Sequence, residues 1–393
     1  AKRSFKDMKK LAAAAAVVLA ALFLFAGCSS QITVTLYSGW LSNTANNYER
    51  DFYESLDYKV SFTPAETSNW ISYSVDGTNS SYNITTEAIG TYTSPENAVT
   101  YTNVYQLTIT IQTAASFSFS ADGAEQTVAF GGENDENPDN DPAEDFQADD
   151  ADSVVYTAWF CSLDSTSNSS ENESLAQPAL RPIRSVQEVR SHGLQSQGQL
   201  YVNMFNYTIT TVYDETCDNA TITYEDAYAD LSSEDSAAGD YVRKTPLIHP
   251  ANRTVSDLQK NYSCFDNAQL YFMARGLTQS TETSQTVTVV GGTANNIPSR
   301  MTISWSELVD RSVDFTLDGE QVSGMIPTAV TNFSLGDSIY TGEGATVIYA
   351  QRQTPNTYHC LPVSIEEPLG YSLGSTVYTL KEASYTRGAQ ETA

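Results

Sequence analysis

The sequence predicts an all-β protein, built mainly from antiparallel, sandwich-like modules with a few short helices. Tyr (24 residues) and Phe (15 residues) are plentiful among abundant Thr and Ser, and this mixture favours strands over helices. Apolar residues also alternate with polar ones between frequent turn signals, a pattern typical of sheets with one buried face. Helical periodicity is largely missing.

Two Asp-Gly dipeptides between alternating runs predict tight hairpins, because Gly readily takes the positive φ that such turns need. Asp122-Gly123 is followed by a returning strand at 127–130, and Asp318-Gly319 follows the alternating run 313–317. Further strands are predicted at 32–37, 107–111, 286–290, 346–349 and 375–380, and short helices at 43–56 and 255–262.

The first 28 residues have the three parts of an export signal. Lys9-Lys10 follows Met8, an apolar or small-residue run of 17 residues extends from Leu11 to Gly27, and Cys28 comes next. The run is at the lower limit for spanning a membrane and is rich in Ala, so a cleaved signal is favoured over a permanent transmembrane helix. Since the pattern begins at Met8, we expect residues 1–7 to lie upstream of the working signal.

The tetrapeptide Phe25-Ala26-Gly27-Cys28 resembles the lipobox of bacterial lipoprotein precursors. In that family the cysteine thiol receives a diacylglycerol and becomes the N-terminus after cleavage. The resemblance therefore implies lipidation of Cys28 and anchoring to the extracytoplasmic side of the cell membrane, where two or more acyl chains suffice for stable attachment. It covers residues 8–28 and implies nothing about the ectodomain. The alternative is an ordinary secretory signal.

Composition divides the chain into a signal peptide (1–27), a membrane-proximal β domain (28–132), an acidic linker or loop (133–152) and a β-rich region of one or more domains (153–393). In the acidic block ten of 20 residues are Asp or Glu, none is basic, and Pro138 and Pro142 interrupt it. Such a block repels itself and has little to bury, which predicts a solvated linker. Calcium binding is the alternative, although the EF-hand spacing is absent.

The charge excludes some classes of partner. The whole chain carries −28, and the part from Cys28 onward has 15 basic and 47 acidic residues, or −32. A surface this acidic repels phosphate backbones and anionic lipid headgroups, so nucleic-acid binding is not expected. The simplest interpretation is that this negative charge keeps an exported protein soluble.

Four cysteines follow Cys28, at Cys161, Cys217, Cys264 and Cys360. An even number in an exported chain predicts two disulfides, and the sequence leaves all three pairings open. Free buried thiols are the alternative. None of the four belongs to a C-x-x-C or Cys/His cluster, so metal binding and redox catalysis are not predicted.

No catalytic, metal or cofactor site is predicted. The three histidines are far apart, and G-x-S-x-G, H-E-x-x-H and Walker-type motifs are absent. The four tryptophans either fill cores, which we favour, or form sugar-stacking platforms.

The function expected from these features is that of a membrane-anchored, non-enzymatic binding or structural protein for an envelope glycan or protein. The alternative is an extracytoplasmic glycan hydrolase whose two carboxylates are scattered in the sequence. A solute-binding transport subunit fits less well, since such lipoproteins usually alternate strands with helices.

Overall fold

A computed structural model describes the chain between residues 51 and 386, with gaps. The described ranges are 51–64, 71–75, 80–121, 124–130, 152–161, 180–191, 194–196, 199–201, 205–226, 252–277, 281–282, 284–291, 298–335, 344–350, 361–368 and 374–386. Several predicted features lie outside these ranges: the export signal with Cys28, the strand at 32–37, the turn residues Asp122 and Gly123, the block 133–151, Cys360 and the three histidines.

The described residues form 21 strands, one short helix and a 3₁₀ turn before it. The strands are β1 (Tyr53–Pro64), β2 (Ile71–Val75), β3 (Ser81–Thr93), β4 (Thr100–Thr113), β5 (Ala115–Ala121), β6 (Ala124–Phe130), β7 (Asp152–Cys161), β8 (Arg181–Ser191), β9 (Leu194–Ser196), β10 (Gln199–Tyr201), β11 (Phe205–Tyr213), β12 (Ala220–Asp226), β13 (Arg253–Val255), β14 (Cys264–Asp266), β15 (Gln285–Val290), β16 (Ser299–Trp305), β17 (Val309–Leu317), β18 (Glu320–Leu335), β19 (Thr346–Ala350), β20 (Pro362–Pro368) and β21 (Gly374–Thr386). The 3₁₀ turn is Asn267–Gln269 and the helix, α1, is Leu270–Ala274.

The strands form a β-barrel with many additional strands, so the all-β prediction is confirmed. One sheet of 16 strands runs in the order β13-β12-β11-β8-β7-β4-β3-β1-β21-β20-β19-β18-β16-β15-β14, and β17 pairs with both β18 and β21. That double pairing closes the strand order on itself, where sandwich-like modules were expected. A second sheet has the order β10-β9-β6-β5-β2.

The large sheet is continuous across the predicted domain boundaries. Strand β4 pairs with β7 on the other side of the acidic block, and β1 pairs with β21 near the end of the chain. Asp152, which we assigned to the linker, is the first residue of β7 and pairs with Thr113. The limits at 132 and 153 therefore do not coincide with a break in this sheet.

Period-two alternation sets the two faces of the central strands. In β1, Leu56, Tyr58 and Val60 are buried, whereas the residues between them are partly or fully exposed. The same alternation recurs in β3 and β4, and their buried side chains share one core. Successive side chains point to opposite faces of a strand, so each central strand has a buried inner face and a polar outer face.

The structure confirms the turn predicted at Asp318-Gly319 and shows that the helix predicted at 255–262 is wrong. Asp318 (φ 49°) and Gly319 (φ 83°) join β17 to β18 in the predicted hairpin, with both central residues at the positive φ of a type I′ turn. No helix forms over 255–262. This segment instead lies against the β11–β12 turn, where the Leu258 amide donates to the Asp218 carbonyl. Predicted helix 43–56 overlaps β1 at its end, and its start lies outside the described ranges.

Helix α1 lies against the inner face of the large sheet. Phe272 packs on Phe160 of β7, and Tyr271 packs on Phe333 of β18. Asp266 caps the preceding 3₁₀ turn, because its carboxylate accepts a hydrogen bond from the Ala268 amide (3.0 Å). Across the described ranges, no helix combines the length and apolar character needed to cross a membrane.

Candidate functional site: the outer face and its cleft

A row of hydroxyl side chains crosses the outer face of the large sheet. Strand pairing aligns one residue from each of seven adjacent strands, namely Ser55, Thr85, Thr108, Thr157, Val186, Thr210 and Thr223. All seven are partly exposed. Six of the seven carry a hydroxyl, and Val186 interrupts them between Thr157 and Thr210. Neighbouring strands lie about 4.8 Å apart, so this hydroxyl row presents donors and acceptors at strand spacing on either side of Val186.

A cleft of about 470 Å³ opens at the β11–β12 end of the row. Its floor is the outer face of the two strands, with Thr210 and Val212 from β11 and Thr221, Thr223 and Glu225 from β12. Its walls are the β3–β4 turn and the β11–β12 turn, which contribute Glu96 and Asn97 and then Asp214 and Asn219. The lining is therefore rich in hydroxyls, amides and carboxylates and holds no Lys or Arg.

Local hydrogen bonds fix the β3–β4 turn in shape. The Ala98 amide donates to the Ser94 carbonyl, and the Ser94 amide donates to the Val99 carbonyl (both 2.9 Å). The buried Ser94 hydroxyl donates to Glu96 Oε2 (3.1 Å), and the Val99 amide donates to Asn97 Oδ1 (3.0 Å). Glu96 and Asn97 therefore project from a rigid wall.

An ion pair and an aromatic pair stand next to this wall. The Arg184 Nη2 atom lies 2.8 Å from Glu96 Oε1, and Nε donates to the same carboxylate. The guanidinium lies 5.2 Å from the centre of the Trp159 ring, which stacks on Tyr92 at 5.0 Å. Trp159 Nε1 donates to Gln106 Oε1 (2.9 Å). We call Tyr92, Trp159 and Arg184 the aromatic stack.

The two wall carboxylates are held in their ionised forms. Partial burial raises the pKa of Glu96, but the hydrogen bonds and charge of Arg184 outweigh this and leave the pKa below its ordinary value. Partial burial also raises the pKa of Asp214, and hydrogen bonds within its own turn more than offset it. Asp214 accepts from Asn219 Nδ2 (2.6 Å), the Thr216 hydroxyl (2.8 Å) and the Asp218 amide (3.0 Å).

The inner face carries a different set of charged groups, each with a partner. Arg275 binds Glu54 through two contacts of 2.6 and 2.9 Å, with both side chains 1% exposed. Asp266 accepts hydrogen bonds from the Tyr156 and Tyr213 hydroxyls (both 2.8 Å). Burial raises the pKa of Asp266 although these hydrogen bonds oppose the shift. Paired groups of this kind hold the core together rather than meet a ligand.

The cysteines predicted to be bridged are buried free thiols as far as the structure describes them. Cys161, Cys217 and Cys264 carry no disulfide, and Cys360 lies outside the described ranges. Metal binding has no candidate among the described residues, since no group of three or more His, Cys, Asp or Glu is placed to hold an ion.

The two described tryptophans differ in exposure, and both pack against apolar clusters. Trp305 is buried in the core, whereas Trp159 is partly exposed in the aromatic stack. The cleft itself was missed, because its walls lie more than a hundred residues apart in the chain. The outward Thr residues of β11 and β12 form its floor, and their alternation along each strand was visible in the sequence.

Comparisons with known proteins give one distant structural relative. No family model matches the chain, and no curated protein does so either. One solved structure with a similar chain fold is that of a β-barrel-like protein from Brucella abortus, which belongs to a domain family of unknown function. Its TM-score is 0.40 at 8% sequence identity, over 86% of this chain and 99% of that one.

Proposed function

We propose that this protein is a lipid-anchored extracytoplasmic binding protein whose cleft holds a neutral segment of an envelope glycan. The observation that carries the proposal is the cleft beside the aromatic stack, where hydroxyl and amide groups converge on a concave, open surface. Binding sites are typically concave, with a few converging polar groups.

The lining favours sugar hydroxyls as ligands. Thr210, Thr221 and Thr223 each offer a donor and an acceptor, and Asn97 adds an amide to the wall. Side chains that donate and accept match a polyol, which does both at every hydroxyl. Arg184 pairs with Glu96, whereas the lining also includes the acidic residues Asp214 and Glu225 and no Lys or Arg, so an anionic ligand is disfavoured.

The aromatic stack gives this end of the outer face an apolar element. Trp159 and Tyr92 are only partly buried, and they lie beside the ion pair that fixes Glu96. Rings with a polar edge suit wet binding surfaces, where an apolar sugar face needs a partner. The stack and the cleft together could engage two consecutive sugar units.

The hydrolase alternative finds less support in this cleft. Hydrolysis of a glycosidic bond needs one carboxylic acid that stays protonated near neutral pH. Glu96 and Asp214 both have pKa values below the ordinary range, so neither suits that role. Among the described residues, Asp266 and Glu367 have raised pKa values, and neither carboxylate lines the cleft. Asp266 accepts a hydrogen bond from Tyr213, a lining residue whose side chain is fully buried, and Glu367 accepts one from Tyr271.

The anchor is proposed on the signal alone, since Cys28 lies outside the described ranges. We expect Cys28→Ala to lose its lipid, because the lipobox presents no other thiol. The measurements are detergent phase partitioning and the mass of the mature N-terminus. A variant that still carries diacylglycerol and sediments with membranes would show that the anchor is assigned to the wrong residue.

Affinity electrophoresis tests the ligand class. The protein runs through gels that contain neutral α- or β-glucan, mannan, a phosphate-rich polymer or nucleic acid. We expect retardation by at least one neutral polysaccharide, nearly unchanged between low and high salt, because no counterions are released. Retardation by the anionic polymers alone, or by none of the gels, would contradict the proposal.

A further inference from the structure

Three buried thiols lie close to one cleft wall. Cys217 sits in the β11–β12 turn, Cys264 begins β14, and both are 0% exposed within one small apolar cluster. Cys161 ends β7 in a neighbouring cluster. Two of the three are held in direct contact, because the Cys264 thiol hydrogen-bonds to Cys217.

The backbone on both sides of Cys217 is fixed to the segment that leads into Cys264. Gln259 donates through Nε2 to the Thr216 carbonyl (2.7 Å) and through its amide to Asp218 Oδ1 (3.2 Å). The Leu258 amide donates to the Asp218 carbonyl (3.0 Å). These bonds hold the turn that carries Cys217 against the segment that leads to Cys264, and both side chains lie in the same apolar cluster.

Cys161 has a different partner. Its thiol hydrogen-bonds to the Arg181 side chain, and it packs with Tyr101, Val104 and Ile183 rather than in the cluster of the other two. The nearby Cys217 contributes to the raised pKa of Cys161, so Cys161 is the nearest competitor for a bridge.

We propose that Cys217 and Cys264 form a disulfide as the exported chain folds. Two thiols give up two protons and two electrons, and a small-molecule or protein disulfide accepts them and is reduced to two thiols. One cysteine thiolate first attacks that disulfide, which forms a mixed disulfide and releases one thiol. The other cysteine thiolate then attacks the protein sulfur of the mixed disulfide, which forms the bridge and releases the second thiol. Because both thiols are inaccessible in the folded protein, this exchange takes place before the cluster closes.

The bridge would stabilise a wall of the cleft. Asp214 and Asn219 line the cleft from the same turn that carries Cys217, and the link would join that turn to β14 across 47 residues of chain. Closing a loop of this length restricts the unfolded chain. The inference does not rest on glycan binding and stands if that proposal fails.

Peptide mapping tests the pairing on the full-length chain, refolded in detergent with a mixture of reduced and oxidised glutathione and then alkylated. Trypsin places the cysteines in four peptides, at 60–184, 191–243, 261–275 and 353–381. We expect peptide 191–243 to be linked to 261–275, and the link to survive in Cys161→Ser. A link from 60–184 or 353–381 to either peptide, or an alkylated Cys264, would overturn the proposal.

Thermal unfolding gives an independent readout. We expect the oxidised protein to melt several degrees higher than the reduced protein, and Cys217→Ser to melt like the reduced wild type with or without oxidant. Equal melting temperatures for oxidised and reduced wild type would contradict a stabilising bridge.

Discussion

The two faces of the large sheet each hold an Arg–Glu pair. The two pairs join the same residue types but differ in burial and in position. Arg275 and Glu54, on the inner face, are 1% exposed and join residues 221 positions apart. Arg184 and Glu96, on the outer face, are 15% and 35% exposed and stand at the rim of the cleft. The inner pair acts as a structural link, whereas the outer pair orients a wall and neutralises one of its charges.

Breaking the inner pair should have the largest effect. Arg275→Met leaves the buried Glu54 carboxyl without its cationic partner, so we expect a loss of about 3–5 kcal/mol in the free energy of unfolding. Replacing both partners, as Glu54→Leu with Arg275→Met, removes both charges and should recover much of that loss. Urea denaturation measures each variant.

The outer pair provides the matched control. Arg184→Met removes one partner of an exposed ion pair, so we expect a loss of about 0–1 kcal/mol. If Arg184→Met destabilised the protein as much as Arg275→Met, the division between a structural inner face and a functional outer face would be wrong.

The pKa shifts of Asp266 and Asp214 extend this comparison to the pH dependence of the free energy of unfolding. Burial raises the pKa of Asp266, so the folded state keeps its proton at pH values where the unfolded chain, with a pKa of about 3.9, has lost it. The free energy of unfolding should therefore fall as pH rises from about 4 through the folded pKa, by at most about 1.4 kcal/mol per pH unit. Asp266→Asn should reduce this slope and leave the part that Glu367, whose pKa burial also raises, contributes.

The contribution of Asp214 to the free energy of unfolding should depend on pH with the opposite sign. Its folded pKa is below the ordinary value, because hydrogen bonds outweigh partial burial. Its stabilising contribution is present above about pH 4 and is lost as pH falls through the folded pKa. Asp214→Asn should flatten that acid limb alone, and denaturation from pH 2 to 8 measures both variants. Slopes of the same sign at the two sites would contradict the assigned environments.

Local patterns in the sequence predicted several strands and one turn correctly, but not the arrangement of the strands. The helix predicted at 43–56 overlaps β1, and the strand predicted at 32–37 lies outside the described ranges. The alternation around Leu107 and Ile109 and the Asp318-Gly319 turn depend on neighbouring residues, and the structure confirms both. The pairing of Glu54 with Arg275 depends on the order of strands, which alternation does not specify. Helix 255–262 failed because contacts with Asp218 override its local preference.

The same limit applies to the site. Every residue of the hydroxyl row looked like an ordinary outward position of a strand, and only strand pairing aligns Thr108 with Thr210. The cleft likewise needs the β3–β4 turn to stand over β11 and β12. A sequence can indicate which face is polar, but the fold decides which polar residues converge.

The most direct test of the account compares two matched pairs of threonines on the outer face. Thr210 and Thr223 are paired across strands on the cleft floor, and Thr85 and Thr108 are paired in the same row, three strands away. Changing either pair to Val should alter the free energy of unfolding by no more than about 0.5 kcal/mol per site. In affinity electrophoresis with the neutral polysaccharide that retards the wild type most, we expect Thr210→Val with Thr223→Val to weaken binding about tenfold. Thr85→Val with Thr108→Val should bind like the wild type, and equal loss in both, or loss in neither, would contradict a ligand site in the cleft.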